Sequence, residues 1–198
     1  MRDVLNLSQK KLRKKKEDII LSAVKIVNKK GYQRATMEEI AAELFMTKGS
    51  LYYYFKNKED LFYQCHEMIL NQAIEEMVDH YNEPISNEEK LRKMIYTHIK
   101  YAIERKEIFN MIIKPDHIFS TEQINIILEK RYKYASLFDQ VIENGIENKE
   151  FNQLEPKFVR MILLGAMNWI QQWYKSDGSK SMKEIQELYA DYLLKLLK

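Results

Sequence analysis

The chain has 198 residues, 45% of them hydrophobic, which at this length is enough apolar material to bury one core or two. Five glycines and three prolines favour long helices over a turn-rich sheet protein, and the single cysteine, Cys65, excludes an internal disulfide and a cysteine-cluster metal site. The net charge of +3 is unevenly placed: residues 1–60 hold 14 Lys and Arg against 8 Asp and Glu, and residues 61–198 hold 18 against 21, so a basic head precedes a mildly acidic body.

The stretch Met1 to Lys16 is polar and basic, with no apolar centre that could act as a secretory signal. The longest apolar stretch, Phe158 to Ile170, is broken by Arg160 and Asn168, so the expectation is a soluble, cytoplasmic protein with no membrane contact. Ile20, Ala23, Val24 and Val27 recur at helical spacing and predict a first helix from about Lys11 to Lys30, stopped by Gly31. Its basic face carries Lys14, Lys15, Lys25 and Lys29; the arm Lys10 to Lys16 fits a solvated tail, with minor-groove or phosphate contact as the alternative. Thr36 and Glu39 make a capping box that opens a second helix ending near Leu44. Only Phe45 and Met46 separate it from the next cap, Thr47, so the third helix, Lys48 to Phe55, must leave at a steep angle. That arrangement is a helix-turn-helix, tied by Met37, Ile40, Ala41 and Leu44 on one side and Leu51 and Phe55 on the other.

A fourth helix, about Glu59 to His80, links head to body. Breakers then predict helices over Glu88 to Arg105, Glu107 to Lys114 (ended by Pro115), Thr121 to Asn148, Pro156 to Lys175 and Met182 to Leu197, the last opened by a Ser181–Glu184 capping box. The last two helices carry more apolar surface than one intramolecular face needs, which points to a subunit contact. The fold class is therefore all-α, with a three-helix helix-turn-helix head over residues 1–60 and a six-helix body over 61–198.

The segment from Thr47 through Lys48, Gly49, Ser50, Leu51, Tyr52, Tyr53, Tyr54, Phe55, Lys56, Asn57 and Lys58 to Leu61 resembles the recognition helix and following turn of the TetR family of regulators. With Gly31-Tyr32 and Thr36-Met37-Glu38-Glu39-Ile40-Ala41 upstream, the resemblance covers residues 15–62. It implies a DNA-binding repressor acting as a homodimer on a palindromic operator whose half-sites lie about 34–36 Å apart, and the lack of a Gly-rich phosphate loop, a metal-spaced His/Cys/carboxylate set or a nucleophile–base arrangement argues against an enzyme. The chemistry of the residues agrees. Thr47 and Lys48 stand where free backbone amides favour phosphate, and Gly49 has no side chain to hold the helix away from base edges. Ser50 lies on the same helix; Tyr52 suits a thymine methyl or the sugar-phosphate backbone, and Tyr53 and Lys58 suit phosphate, while Thr36 is a cap first and a phosphate neighbour second. The competing reading makes Tyr52 to Tyr54 an aromatic packing stripe. Relatives usually carry a small residue where this chain has Phe45, and a phenylalanine resists a left-handed turn.

The resemblance further implies that the body binds a small molecule and that its last two helices pair across a twofold axis. The stretch Leu164 to Tyr174 resembles the branch that responds to coenzyme A thioesters of fatty acids or sterol fragments. Met161, Leu164, Gly165, Trp169, Trp173, Leu188, Tyr192 and Leu196 are candidate dimer residues. Met94, His98, Tyr101, Phe109, Met111, Tyr134, Phe138 and Trp169 are candidates to line a chamber for an apolar effector with a polar end, with His98 equally readable as a satisfied core histidine. Arg105 or Arg131 could meet a coenzyme A phosphate. No cofactor and no metal are expected, and the four histidines are scattered. An effector-independent nucleoid protein, a drug-efflux regulator and a membrane-surface module are the alternatives.

Overall fold

The computed structural model describes residues 7–106, 108–109 and 119–198. Met111, Pro115 and most of the short helix expected over 107–114 lie outside them. The elements are α-helices: α1 (Leu7–Lys30), α2 (Met37–Glu43), α3 (Lys48–Tyr54), α4 (Lys58–Asn82), α5 (Asn87–Glu104), α6 (Thr121–Glu147), α7 (Pro156–Trp173) and α8 (Met182–Leu194), followed by a 3₁₀ turn, Lys195–Leu197. No strand occurs among the described residues.

Two compact units result. The described residues up to Met68, with Ile108, Phe109 and 119–124, form the first, and Ile69–Lys106 with Asn125–Lys198 form the second. In the first, Ile19, Ile20, Ala23, Val24 and Val27 of α1 bury one face over Met37, Ile40 and Ala41 of α2 and Leu51 of α3, with Phe55, Leu61, Phe62 and Cys65 completing the core. Leu44 is only half buried. Gly31 ends α1 at φ 79°, its amide donating to the Val27 carbonyl at 2.7 Å, as a left-handed C-terminal stop requires. α1 starts at Leu7, a full turn before the Lys11 expected, so the arm 10–16 is helical throughout.

In the second unit α5 packs against α7 and α8 around Leu91, Met94, Ile95, Phe138, Leu163, Met167 and Ile170. Ser181 caps α8 with Glu184 in a reciprocal box. A second box, Ser86 with Glu89, opens α5, where the sequence analysis names no cap.

Candidate nucleic-acid interface and body sites

α3 is short and held at both ends. Thr47 Oγ1 accepts from the Ser50 amide at 3.1 Å and lies 2.9 Å from the Ser50 hydroxyl, while Thr36 Oγ1 accepts from the Glu39 amide at 3.2 Å to start α2. Leu51 and Phe55 are buried, and this fixes which side of α3 faces out. Lys48, Gly49, Ser50 and Tyr52 are exposed, and Tyr53 is 79% exposed with its ring edge-on to Tyr54. A packing stripe would have buried Tyr52 and Tyr53, so within this chain these two serve no core, while Tyr54 is half buried. A Cβ on Gly49 would meet nothing nearer than Thr47 Oγ1 at 4.0 Å, so no neighbour in the protein demands glycine there.

Lys48 extends over the Tyr52 ring, 5.8 Å from its centroid, and its ammonium is paired with Glu38 of α2. The hydrogen bond lowers the Glu38 pKa and raises that of Lys48. Both side chains are exposed, so a phosphate can compete for the lysine. Lys58 is employed differently from the free cation expected. Its ammonium donates to the Gln33 carbonyl at 3.2 Å and sits 4.2 Å above the Tyr32 ring, itself edge-on to Phe62. Burial in that nook lowers the Lys58 pKa. Asn57, which accepts from the Asp60 amide at 2.7 Å, starts α4 just before it. Neither Glu38 nor Tyr32 stood out in the sequence as a partner for these lysines.

The turn itself departs from the sequence reading. Phe45 adopts φ 53°, in the left-handed region it was expected to resist, and is 100% exposed. Two hydrogen bonds hold it there: its own amide to Ala42 at 3.0 Å and that of Met46 to Ala41 at 2.8 Å. The steric cost of about 1–2 kcal/mol is met by closing the angle between two capped helices.

In the second unit Met94, His98, Tyr101 and Phe138 are buried and Tyr134 is half buried. His98 is a satisfied core residue: Tyr134 Oη lies 3.0 Å from Nδ1 and Asn168 Oδ1 lies 3.1 Å from Nε2. Burial drives its pKa down to about 4, against a small opposing effect of the Asn168 bond. Asn168 is 70 residues away in sequence, and no local pattern could have paired it with His98. The Tyr101 hydroxyl donates to Glu76 at 2.8 Å, in a surface groove of about 430 Å³ that Lys100 and Arg105 also line. Phe109 is buried and belongs to the first unit.

Trp169, a candidate for the chamber wall, is 65% exposed on the outer face of α7. That face is a continuous stripe, Phe158, Met161, Ile162, Gly165, Trp169 and Trp173, opposite the buried Val159, Leu163, Met167 and Ile170. Tyr192 and Leu196 are exposed, and Leu164 and Leu188 half buried. A Cβ on Gly165 would meet nothing within 4 Å. Phe158 joins the stripe by its i, i+4 spacing to Ile162, a signal present in the sequence but not followed to that residue.

Among the described residues no helix is long and apolar enough to cross a membrane. The family model for bacterial regulatory proteins of the tetR family matches residues 19–65, and that for the tetracyclin repressor-like C-terminal domain matches 84–197. The fatty acid metabolism regulator protein of Bacillus subtilis is 25% identical over 173 residues, 85% of this chain and 88% of that protein. Among solved structures, FadR from Bacillus subtilis in complex with stearoyl-CoA has a TM-score of 0.73 at 23% identity, covering 89% of this chain and 96% of that one. AibR in complex with isovaleryl coenzyme A and operator DNA has a TM-score of 0.76 at 23% identity, covering 92% and 97%.

Proposed function

The chain belongs to the TetR family of transcriptional regulators, and from that membership we propose that it is a cytoplasmic repressor binding a palindromic operator as a homodimer. The observation that carries the proposal is the two-sidedness of α3, with Leu51 buried inside and Lys48, Gly49, Ser50, Tyr52 and Tyr53 turned out. In this reading α3 enters the major groove. Gly49 lets the backbone come close, Tyr52 touches a base edge or sugar, and Tyr53 and Lys48 donate to phosphate, Lys48 exchanging Glu38 for DNA. Thr36 and Thr47 hold the two helices in register beside the backbone, and Lys58 keeps the start of α4 against the Tyr32–Gln33 turn while its remaining N–H groups face phosphate. The apolar outer stripe of α7, with Tyr192 and Leu196 of α8, supports twofold pairing of subunits.

The effector we propose is an acyl-coenzyme A thioester. Support comes from the relatives, a fatty acid metabolism regulator and two regulators solved with bound coenzyme A thioesters, and from the mixture of thioether, ring and hydroxyl groups at Met94, Phe138 and Tyr134. Because α4 contributes to both units, displacement of that helix by ligand is the route by which DNA affinity would fall, with a coupling of about 1–3 kcal/mol.

The test of the DNA part is Lys48→Ala combined with Tyr53→Ala, titrated against the promoter fragment the wild type binds best. Loss of about 100-fold in affinity is expected from two contacts of ordinary strength. Unchanged affinity would overturn the assignment of α3. Stearoyl-CoA and isovaleryl-CoA, added to the preformed wild-type complex, test the effector separately, and release by neither would remove that class of ligand.

A further inference from the structure

Residues 8–18 form a helical arm at the start of α1, exposed at 10–14 and half buried at 15–17, outside both the core and the family match. None of their described side chains is buried, the first buried residue being Ile19, and the family model begins at that same residue. Six of the seven residues 10–16 are Lys or Arg. Two of these are engaged within the head: Arg13 pairs with Glu17 at 3.0 Å, and Lys16 donates to Gln64 at 3.4 Å with its ammonium 5.5 Å from the Phe55 ring. Lys10, Lys11, Lys14 and Lys15 have no partner among the described residues, and their i, i+1, i+4, i+5 spacing gathers them on one side of the helix, within an arc of about 140°. Like charges four residues apart oppose a helix only weakly, and an adjacent polyanion would relieve that repulsion.

We propose that this arm is a second DNA-binding element, one that grips the phosphate backbone flanking the operator without regard to sequence. The inference rests on the reading of α3 as the recognition helix, which sets the duplex beside the head. The chemistry selects the occupant. Leu12 is the one apolar residue among 8–16, so the arm lacks the apolar face that an interfacial membrane helix buries. It has no aromatic ring on which unpaired bases could stack. Four lysine ammoniums act as point charges, suited to neutralising phosphates and not to reading base edges. Twelve helical residues, 7–18, reach about 18 Å, or about five base pairs beyond each half-site.

The test uses the full-length chain with Lys10→Gln, Lys11→Gln, Lys14→Gln and Lys15→Gln combined, none of which disturbs the core. The wild type first enriches a duplex from a random pool, and failure to enrich any would fall on the reading of α3. The enriched duplex is then compared, trimmed to its protected core, with the same core extended by ten base pairs of unrelated sequence on each side. For the wild type the flanks are expected to raise affinity at least about tenfold at low salt and to steepen the salt dependence by up to about 0.9 per lysine engaged. The fourfold variant should bind the trimmed core like the wild type and gain nothing from the flanks. An equal gain in wild type and variant, or no gain in the wild type, overturns the proposal. So does a loss by the variant confined to anionic phosphatidylglycerol vesicles, which would assign the arm to a membrane surface.

Discussion

Phe45 stands at φ 53° with its ring wholly in solvent, so its conformation costs energy and its side chain returns none inside the chain. Glycine would sit there without the steric penalty, though it gives back part of the gain by freeing the unfolded chain. Phe45→Gly is expected to stabilise the head by about 0.5–1 kcal/mol, read as a shift of the urea midpoint at constant slope. A destabilised variant would mean that the ring is held by contacts of its own. His98 illustrates the opposite case, a polar group wholly accounted for. Neutral imidazole suits its place, with Nε2–H donating to Asn168 and Nδ1 accepting from Tyr134. With a folded pKa near 4 and an unfolded value near 6.5, the unfolded chain binds the extra proton between those values. Stability is thus fully present above about pH 6.5 and lost as pH falls towards 4, by roughly 3 kcal/mol in total. Denaturation at stepped pH should show that slope in the wild type and a flatter one in His98→Gln; equal slopes would assign the acid loss to other groups.

The end of α6 shows why one element stops where it does. Lys149 takes a left-handed conformation at φ 60°, and the Gly145 carbonyl accepts from the amides of Glu150 at 2.8 Å and Phe151 at 3.0 Å. The chain thereby folds back, and the Phe151 ring lies on Gly145: a Cβ there would be 2.2 Å from Cδ2. Gly145→Ala is expected to lower stability by about 1–3 kcal/mol despite the better helix propensity of alanine, because a buried ring must move. Adding Phe151→Leu should recover part of the loss, a non-additivity that thermal melts of the two single variants and the double would reveal. Strict additivity would mean the ring already has room to give.

For the whole molecule the decisive surface is the outer stripe of α7. An exposed row of Phe158, Met161, Ile162, Trp169 and Trp173 is continuous along the helix, the kind of apolar patch that marks an interaction surface. Ile162→Glu with Trp169→Glu places two charges on it without touching the buried side. Sedimentation equilibrium is expected to give a monomer with unchanged helix content, and operator affinity should fall with the loss of the second half-site. A dimer that survives both substitutions would place the subunit contact elsewhere.

How much of this was legible beforehand follows from the range of each interaction. Helix order, the caps at Thr36, Thr47 and Ser181, the stop at Gly31 and the burial of Leu51 and Phe55 are consequences of residues within four or five places of one another, and the sequence carries such relations directly. The outward set on α3 follows from them, since a seven-residue helix with one buried side has only one other. The backbone of Phe45 was misjudged because intrinsic preference is weaker than the joint demand of two capped helices for that turn. The Ser86 box was overlooked although its signal was local. The partnerships of Lys58 with Tyr32, of Lys48 with Glu38 and of His98 with Asn168 join residues 10 to 70 apart. No periodicity encodes those distances; they exist only once burial has brought the helices side by side.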